Sequence, residues 1–488
     1  PHPHSSPKRA RQMTVNSLFT KSTVASSSNH EIINEWVSVC TALNIPLSKS
    51  DHPVLRKFLL ERVRNGGAIP GSHQLQEHYL PQRYLAAKED LKIQLQDRRI
   101  SVIFDETPDV EGRCVLNVLF AVVSSQNGSG IQTHLADTVF LTQCNHGTVA
   151  QAVVRVLAEY NIAFHNVISF NTDNAAYMLK AYNTVLKNLY PNSIHITCLA
   201  HIMNLVGESF RKPFVELNSF MLYFSRIFYM AGSRKRRYLQ HLAGSQGLKP
   251  RMAPDPCSTR WNSWFAAVQY HCKHFDAYAG FVASEMELSK SPPDSLENLQ
   301  RILNGDNKNC IQVQLDIVAE KCESILSLMD LFQSQTPVTM KVYEYLEDLH
   351  MNLTNNSVLT LESLQPFLET ATGAKLTLGQ KKQIKAQLVE AYALALEKVD
   401  KYMSHAQPGI AFLRQVSVFN PARLCSALRD KNTYSAIPGF SEIPDHELCL
   451  YFDHVGPEAV KASISGVIDT DLFWRGMADR MPQLSQVA

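Results

Sequence analysis

The sequence predicts a mixed α/β protein in three parts: a small helical module, a mixed sheet covered by helices, and a long all-helical block. Three observations carry this. Apolar residues recur at helical spacing over 30–95, as in Ile33, Trp36, Val37, Cys40 and Leu43. Residues 100–207 change period. SVIFDE, CVLNVLFAVVS and IQTHLADTVFL are β-rich runs separated by turn residues, and helix and strand alternate after them. From 208 to 465 the apolar period returns to that of a helix, in stretches such as KKQIKAQLVEAYALALEKVDKYM.

A length of 488 residues allows two or three domains with ample core. Hydrophobic content of 45% against 19% charged is the profile of a folded globular chain rather than a disordered one. The net charge is only +2, so no global basic field draws the chain to nucleic acid, and DNA contact must come from local clusters. Lys8-Arg9-Ala10-Arg11 and Arg234-Lys235-Arg236-Arg237 are the candidates. The 10 cysteines are scattered singly with no CxxC pair, which reads as reduced thiols in a nuclear or cytosolic setting. No uninterrupted apolar run reaches the roughly 18 residues of a membrane span, so none is expected.

Taken in order, residues 1–29 are rich in Ser, Pro, Lys and Arg and are expected to be a disordered basic tether. Lys8, Arg9 and Arg11 serve there as a nuclear import signal or a phosphate-binding arm, with a solvated basic tail as the equal alternative. In the helical module of 30–95, Asp51 is expected to cap a helix with Pro53 in its first turn, and Gly66-Gly67 to stop it. Trp36, Leu55, Phe58 and Leu59 are expected inside. Residues 96–207 form the first part of the sheet core, 208–465 the all-α insertion, and 466–488 a truncated return to the core.

Two β-like runs end in acids: Asp105 in SVIFDETPD and Asp173 in VISFNTDNAAYM. Such acids face the crevice at the carboxyl edge of a sheet. Two carboxylates on adjacent strands can share a divalent metal, and metal with phosphate is nucleic-acid chemistry. The plain alternative is that Asp105 caps a turn and Asp173 caps the helix starting at Asn174. Glu106 and Asp109 read as solvated loop acids. Cys198 and His201 share one helical face, a half of a zinc site that His271, Cys272 and His274 would have to complete. Two tight ligand pairs are lacking, so zinc is not expected. Arg234 to Arg237 read as a solvated helix face more readily than as a phosphate track.

The segments DETPD, NTDNAAYM, CLAHIMNL and STRWNS occur in one order and together resemble the catalytic domain of hAT-superfamily transposases, over about residues 95–488. The resemblance implies an RNase H-like core interrupted by a large helical insertion. It puts Asp105 and Asp173 at the first two positions of an acid triad that holds Mg²⁺ or Mn²⁺. It makes His201 part of the family's CxxH motif, facing the scissile phosphate. Arg260 and Trp261 fall on its RW motif, the Trp stacking on an unpaired base and the Arg pairing with phosphate or the third acid. The plain reading of such a Trp is helix packing, for which Trp264 is the better candidate. The third acid, a Glu, is expected beyond Ala488; Asp469, Asp471 and Asp479 stand where that family has no catalytic acid.

The stretch WVSVCTALNIPLSKSDHPVLRKFLLERVRNGGAIPGSHQLQEHYLP resembles the family of CGG-repeat-binding proteins, and KRARQMT resembles the linker that follows a zinc finger there. The finger itself is not in the sequence. The combined expectation is a nuclear, transcription-regulating DNA-binding protein derived from a hAT-type transposase and catalytically incomplete as given. Its partner is DNA, and a homo-oligomer is left open. The alternatives are an active cut-and-paste transposase working by two-metal chemistry, and a protein-interaction scaffold on the same fold.

Overall fold

The computed structural model describes residues 15–123, 130–245, 247–256, 263–334, 338–462 and 468–488. They divide into two compact units: residues up to 98 with 159–162, and 99–158 with 163–488.

The first unit is helical. Helix α1 spans Val15–Ala42, α2 Pro53–Arg62 and α3 Leu80–Leu95. α1 begins at Val15, inside the segment expected to be a tether to residue 29. Ile33, Val37, Cys40, Leu47, Leu59, Ile69 and Leu75 form the core. Trp36 is half-buried and donates its ring N–H to Ser50 Oγ at 2.8 Å. Phe58, expected inside, is 55% exposed, because α2 turns only Leu59 fully into the core. Asp51 does not cap α2 either. Its carboxylate accepts from the Ser72 amide at 2.9 Å and from the Ser72 hydroxyl. These bonds hold its carboxyl below the usual range. At Gly66 a Cβ would meet Leu59 O at 2.1 Å, so only glycine lets the chain pass so close to the end of α2.

The second unit is built on five strands: β1 Ile100–Pro108, β2 Cys114–Val123, β3 Ile131–Leu141, β4 Val167–Thr172 and β5 Ile194–Thr197. Their order is β3-β2-β1-β4-β5. β2 runs antiparallel to both neighbours, while β1, β4 and β5 run parallel. The period-2 pattern works as physics requires: Val102 and Phe104 of β1 and Leu116, Val118 and Phe120 of β2 are fully buried on alternate positions. Three successive strands paired antiparallel, then parallel strands reached through helices, make the sheet mixed. Helix α4, His146–Glu159, links β3 to β4, and α5, Ala176–Ala181, follows β4.

Beyond β5 the chain is helical. The helices used below are α6 Leu199–Arg211, α7 Val215–Arg226, α8 Gly232–Ala243, α9 Ser263–Leu288 and α10 Asp294–Asn304. They are followed by α11 Lys308–Lys321, α12 Glu323–Gln333, α13 Val342–Asn356 and α14 Leu378–Met403. No strand occurs among the described residues of 208–465. A single apolar cluster runs from Met203 on α6 to Val399 on α14. After α14 the helices shorten into 3-10 turns that share a separate cluster, from Val416 to Trp474 and Leu484.

The excursion rejoins the sheet earlier than the expected 466–488. Gln407 Nε2 donates to Thr197 Oγ1 at 2.8 Å, and Asn174 Nδ2 donates to the Tyr402 hydroxyl at 3.2 Å. Gly409, at φ +75°, passes so close to β5 that a Cβ would meet His195 O at 2.7 Å. The final segment also touches the core, where Arg99 donates to Gln486 O at 3.4 Å. Among the described residues no helix is long and apolar enough to cross a membrane.

A candidate acidic site at the carboxyl edge of the sheet

β1 and β4 are parallel with Ile103 opposite Asn171. Continuing that register by two residues sets Asp105 opposite Asp173, just past the end of β4. Parallel strands end together on one edge, so a fold of this kind delivers both acids to the same crevice. Asp105 Oδ1 accepts from the Glu106 amide at 3.1 Å, and Asp173 Oδ1 accepts from the Ala175 amide at 3.1 Å. The second bond closes a local turn and is not the helix cap considered for Asp173, since the helix begins at Ala176 with Ala175 as its N-cap; it occupies one carboxylate oxygen.

Asp105 is exposed at the surface of the crevice, yet its carboxyl is raised above the usual range. Loss of hydration is the largest cause and the charge of Asp173 the next; the Glu106 amide and His201 pull the other way. His201 sits in the first turn of α6, which opens at Cys198. The Cys198 amide donates to Thr172 O at 2.7 Å, tying the start of α6 to the end of β4. Burial raises the Cys198 thiol, and the negative charges of Asp105 and Asp173 raise it further. The site therefore gathers Asp105, Asp173, Cys198 and His201 from three separate segments of the chain: β1, the end of β4 and the start of α6.

A second line of residues stands behind it. Tyr177 donates to Glu106 Oε2 at 3.3 Å, and burial with the neighbouring Cys144 raises its hydroxyl far above the ordinary range. Thr172 donates its hydroxyl to Asp173 O at 2.8 Å. Its one proton is then used, so the 2.8 Å contact to His195 has the ring Nε2–H donating to Thr172 Oγ1. His195 Nδ1 is left buried without a partner, and burial lowers the ring to about 4. The Tyr182 ring stacks on it at 4.9 Å. Sequence reasoning missed His195 and Gln407. The only local signal was the polar SIHITC strand, in which Ser193, His195 and Thr197 share one face.

The other expectations are sorted by the same geometry. Asp109 accepts from the Glu111 and Arg113 amides, each at 2.9 Å, and closes the β1–β2 turn; Arg113 holds it low. Asp469 caps its helix through the Leu472 amide at 3.0 Å, and Asp471 pairs with Arg475 at 2.8 Å. His271 and His274 are buried in the helical block: His271 Nδ1 meets the Tyr278 hydroxyl at 2.9 Å, and His274 Nδ1 meets Tyr270 O at 2.7 Å. Cys272 donates to Asp316 at 3.3 Å, its thiol pushed up to about 12 by burial. Among the described residues no group of three His, Cys, Asp or Glu side chains is arranged to hold a metal ion. Asp105 and Asp173 are hard-oxygen donors that fit Mg²⁺ or Mn²⁺, but as a pair they supply only part of a ligand set.

Trp264 is 5% exposed and donates its ring N–H to Asn218 at 2.7 Å, the packing role foreseen for it. Arg260, Trp261, Lys8, Arg9 and Arg11 lie outside the described residues. The Arg234–Arg237 run is not a wholly solvated face. Arg234 and Arg237 both bind Glu285, at 3.0 and 2.5 Å, and only Lys235 and Arg236 of the four are exposed.

Comparison with known proteins bears on the first unit. Residues 23–82 match the CGGBP1 helical domain. A stretch of 77 residues is 46% identical to the CGG triplet repeat-binding protein 1 of Homo sapiens, covering 16% of this chain and 45% of that protein. The Mus musculus protein of the same name is 40% identical over 76 residues, covering 16% of this chain and 46% of its own length. The chain thus spans just under half the length of the curated relatives it matches, and residues 23–82 carry a helical domain similar to theirs.

Proposed function

We propose that this chain is a nuclear DNA-binding protein built on a transposase-derived fold. The observation that carries the reading is the 46% identity of its N-terminal helical region to a CGG triplet repeat-binding protein. The strand order β3-β2-β1-β4-β5 with β1 and β4 parallel, and a helical excursion after β5, supports an RNase H-like core of hAT type. Asp105 and Asp173 are then the ancestral metal positions of that core, His201 their neighbour, and Arg260 and Trp261 its DNA-contacting pair. The first unit is the element that selects the DNA, and a transcription-regulating role follows from selective binding.

The test is fluorescence anisotropy with the full chain on a CGG-repeat duplex and a scrambled duplex of equal composition. Tighter binding to the repeat is expected. Binding should also fall steeply between about 50 and 200 mM salt, since phosphate contacts dominate. Equal or absent binding to both duplexes overturns the reading.

A second reading is favoured by the Asp105–Asp173 pairing itself: a DNA strand-transfer enzyme. Bound Mg²⁺ or Mn²⁺ would activate the attacking oxygen and stabilise the leaving one. Asp105 and Asp173 would hold the ion, and His201 would face the phosphate. Metal-dependent strand cleavage that disappears in Asp105→Asn selects this reading over the first.

A further inference from the structure

The turn between α7 and α8 buries two side chains and exposes the next two. Ile227 and Phe228 are buried, and Phe228 packs on Tyr238 at 5.1 Å and on Phe281 at 6.0 Å. With those two anchored, the next two side chains are forced outward: Tyr229 is 79% exposed and Met230 89%. The turn is also rigid. The Tyr229 amide donates to Arg226 O at 3.1 Å, the Ala231 amide to Phe228 O at 3.3 Å, and Arg234 Nη1 to Ile227 O at 2.7 Å. Met230 has φ +48°, the left-handed region that side chains with a Cβ rarely adopt. Strain of this kind persists where the surroundings over-determine it, and it concentrates at functional positions.

Exposed cations flank this pair along the chain. Arg226 at the end of α7 and Lys235 and Arg236 in the first turns of α8 are exposed. Arg234 and Arg237 of the same run are consumed by the buried Glu285. The nearby acid is Asp255, which accepts from Ser225 Oγ. An aromatic ring and a thioether on a rigid turn, flanked by three exposed cations, do not suit an apolar protein face, which the charges oppose. They suit a polyanion that offers flat apolar surfaces, which is a nucleic-acid strand.

We propose that Tyr229 and Met230 form a DNA contact in which Tyr229 stacks on an exposed base and Met230 wedges beside it. Arg226, Lys235 and Arg236 hold the flanking phosphates. Phosphate contacts position the strand and the stacked ring engages whichever base is unpaired, so the surface is tolerant of sequence. Apolar side chains inserted between bases unstack them, so the surface favours single-stranded or distorted DNA over a regular duplex. The inference rests on the DNA-binding reading above and assigns a second surface to it, on the helical insertion.

The experiment is anisotropy with the full chain and one labelled oligonucleotide, single-stranded and as a duplex. Tyr229→Ala is expected to weaken single-strand binding about tenfold, with Tyr229→Phe within about twofold of wild type. Lys235→Glu with Arg236→Glu should weaken both forms about tenfold or more and flatten the salt dependence. Lys375→Glu with Lys382→Glu, exposed cations elsewhere, is the charge-matched control and should bind as wild type. Wild-type binding that survives both Tyr229→Ala and the α8 reversal overturns this surface alone. Sensitivity to the reversal without sensitivity to Tyr229→Ala overturns the stacking contact. Poly-glutamate that competes as well as DNA assigns the surface to an acidic protein instead. A wild type that binds neither oligonucleotide overturns the DNA-binding reading and this surface with it.

Discussion

Two carboxylates of the second unit, Glu285 and Asp105, have opposite surroundings. On α9, Glu285 is 2% exposed and is gripped by Arg237 and Arg234. The Arg237 hydrogen bond is the main reason its carboxyl is held below the usual range. At the carboxyl edge of the sheet, Asp105 faces a second acid, Asp173, and its carboxyl is raised instead. One arrangement satisfies its charge and the other concentrates it. Glu285 meets opposite charge, whereas Asp105 meets like charge, the arrangement that marks a candidate site. The contrast ties Arg234 and Arg237 to Glu285 and sets the acidic pair apart from them.

The largest expected effect breaks the satisfied side of the comparison. Glu285→Ala leaves two guanidinium groups against the helix bundle without a counter-charge. Removing one partner of a buried pair costs about 3–5 kcal/mol, and Arg237 can swing toward water, so a loss near the low end, about 3 kcal/mol, is expected in urea unfolding. An unchanged midpoint would show that the pair is decorative and that all four cations of the run are free to bind phosphate.

Buried histidines give the next effect. His271 is 1% exposed among Phe220, Phe224, Tyr270 and Tyr278, and burial lowers it to about 3 from 6.5. The folded ring stays neutral while the unfolded one takes a proton below pH 6.5. Stability is therefore fully present above the unfolded value and falls as pH drops toward the folded one. Between pH 7 and 5 this residue alone removes about 2 kcal/mol, and His195 acts in the same direction down to about 4. Unfolding midpoints at pH 7 and 5 should separate for the wild type and separate less for His271→Gln. Equal separation in both would place the ring in contact with water.

What could be read in advance follows the range of the interactions. The strands β1 and β2 announce themselves as β-rich runs bounded by turn residues, and the long helices by their apolar period, because each signal lies within a few residues of itself. Asp105 and Asp173 were legible because strand ends of a mixed sheet meet on one edge. Glu285 could not be matched to Arg234 from sequence, since nothing local marks an acid far along the chain as their partner. Asp51 looked like the cap of α2 because it precedes Pro53, whereas its partner is Ser72 in another segment. The return at 402–409 is carried by Gln407, Asn174 and the close pass of Gly409, polar and backbone contacts that leave no apolar period to read. Phe58 looked like core because α2 is apolar enough to bury more than the one position the fold uses.

The smallest effect tests the opposed side, and its sign is the informative part. The folded carboxyl of Asp105 is raised above its ordinary value of 3.8, so ionisation costs the folded state more than the unfolded chain. The penalty is absent below 3.8, grows as pH rises through the folded value and is complete above it. Asp105→Asn removes it. The variant should therefore melt slightly higher than the wild type at pH 7, by about 1–2 °C for a chain of this size, and the gain should vanish near pH 3. Because Asp173 contributes to the penalty, pairing Asp105→Asn with Asp173→Asn should gain less than the sum of the single changes. A lower melting point for Asp105→Asn at pH 7 would mean that the carboxylate stabilises the fold, and the contrast with Glu285 would collapse. If added Mn²⁺ raises the wild-type melting point and leaves that of Asp105→Asn unmoved, the two acids hold a metal together, and the strand-transfer reading gains over simple binding.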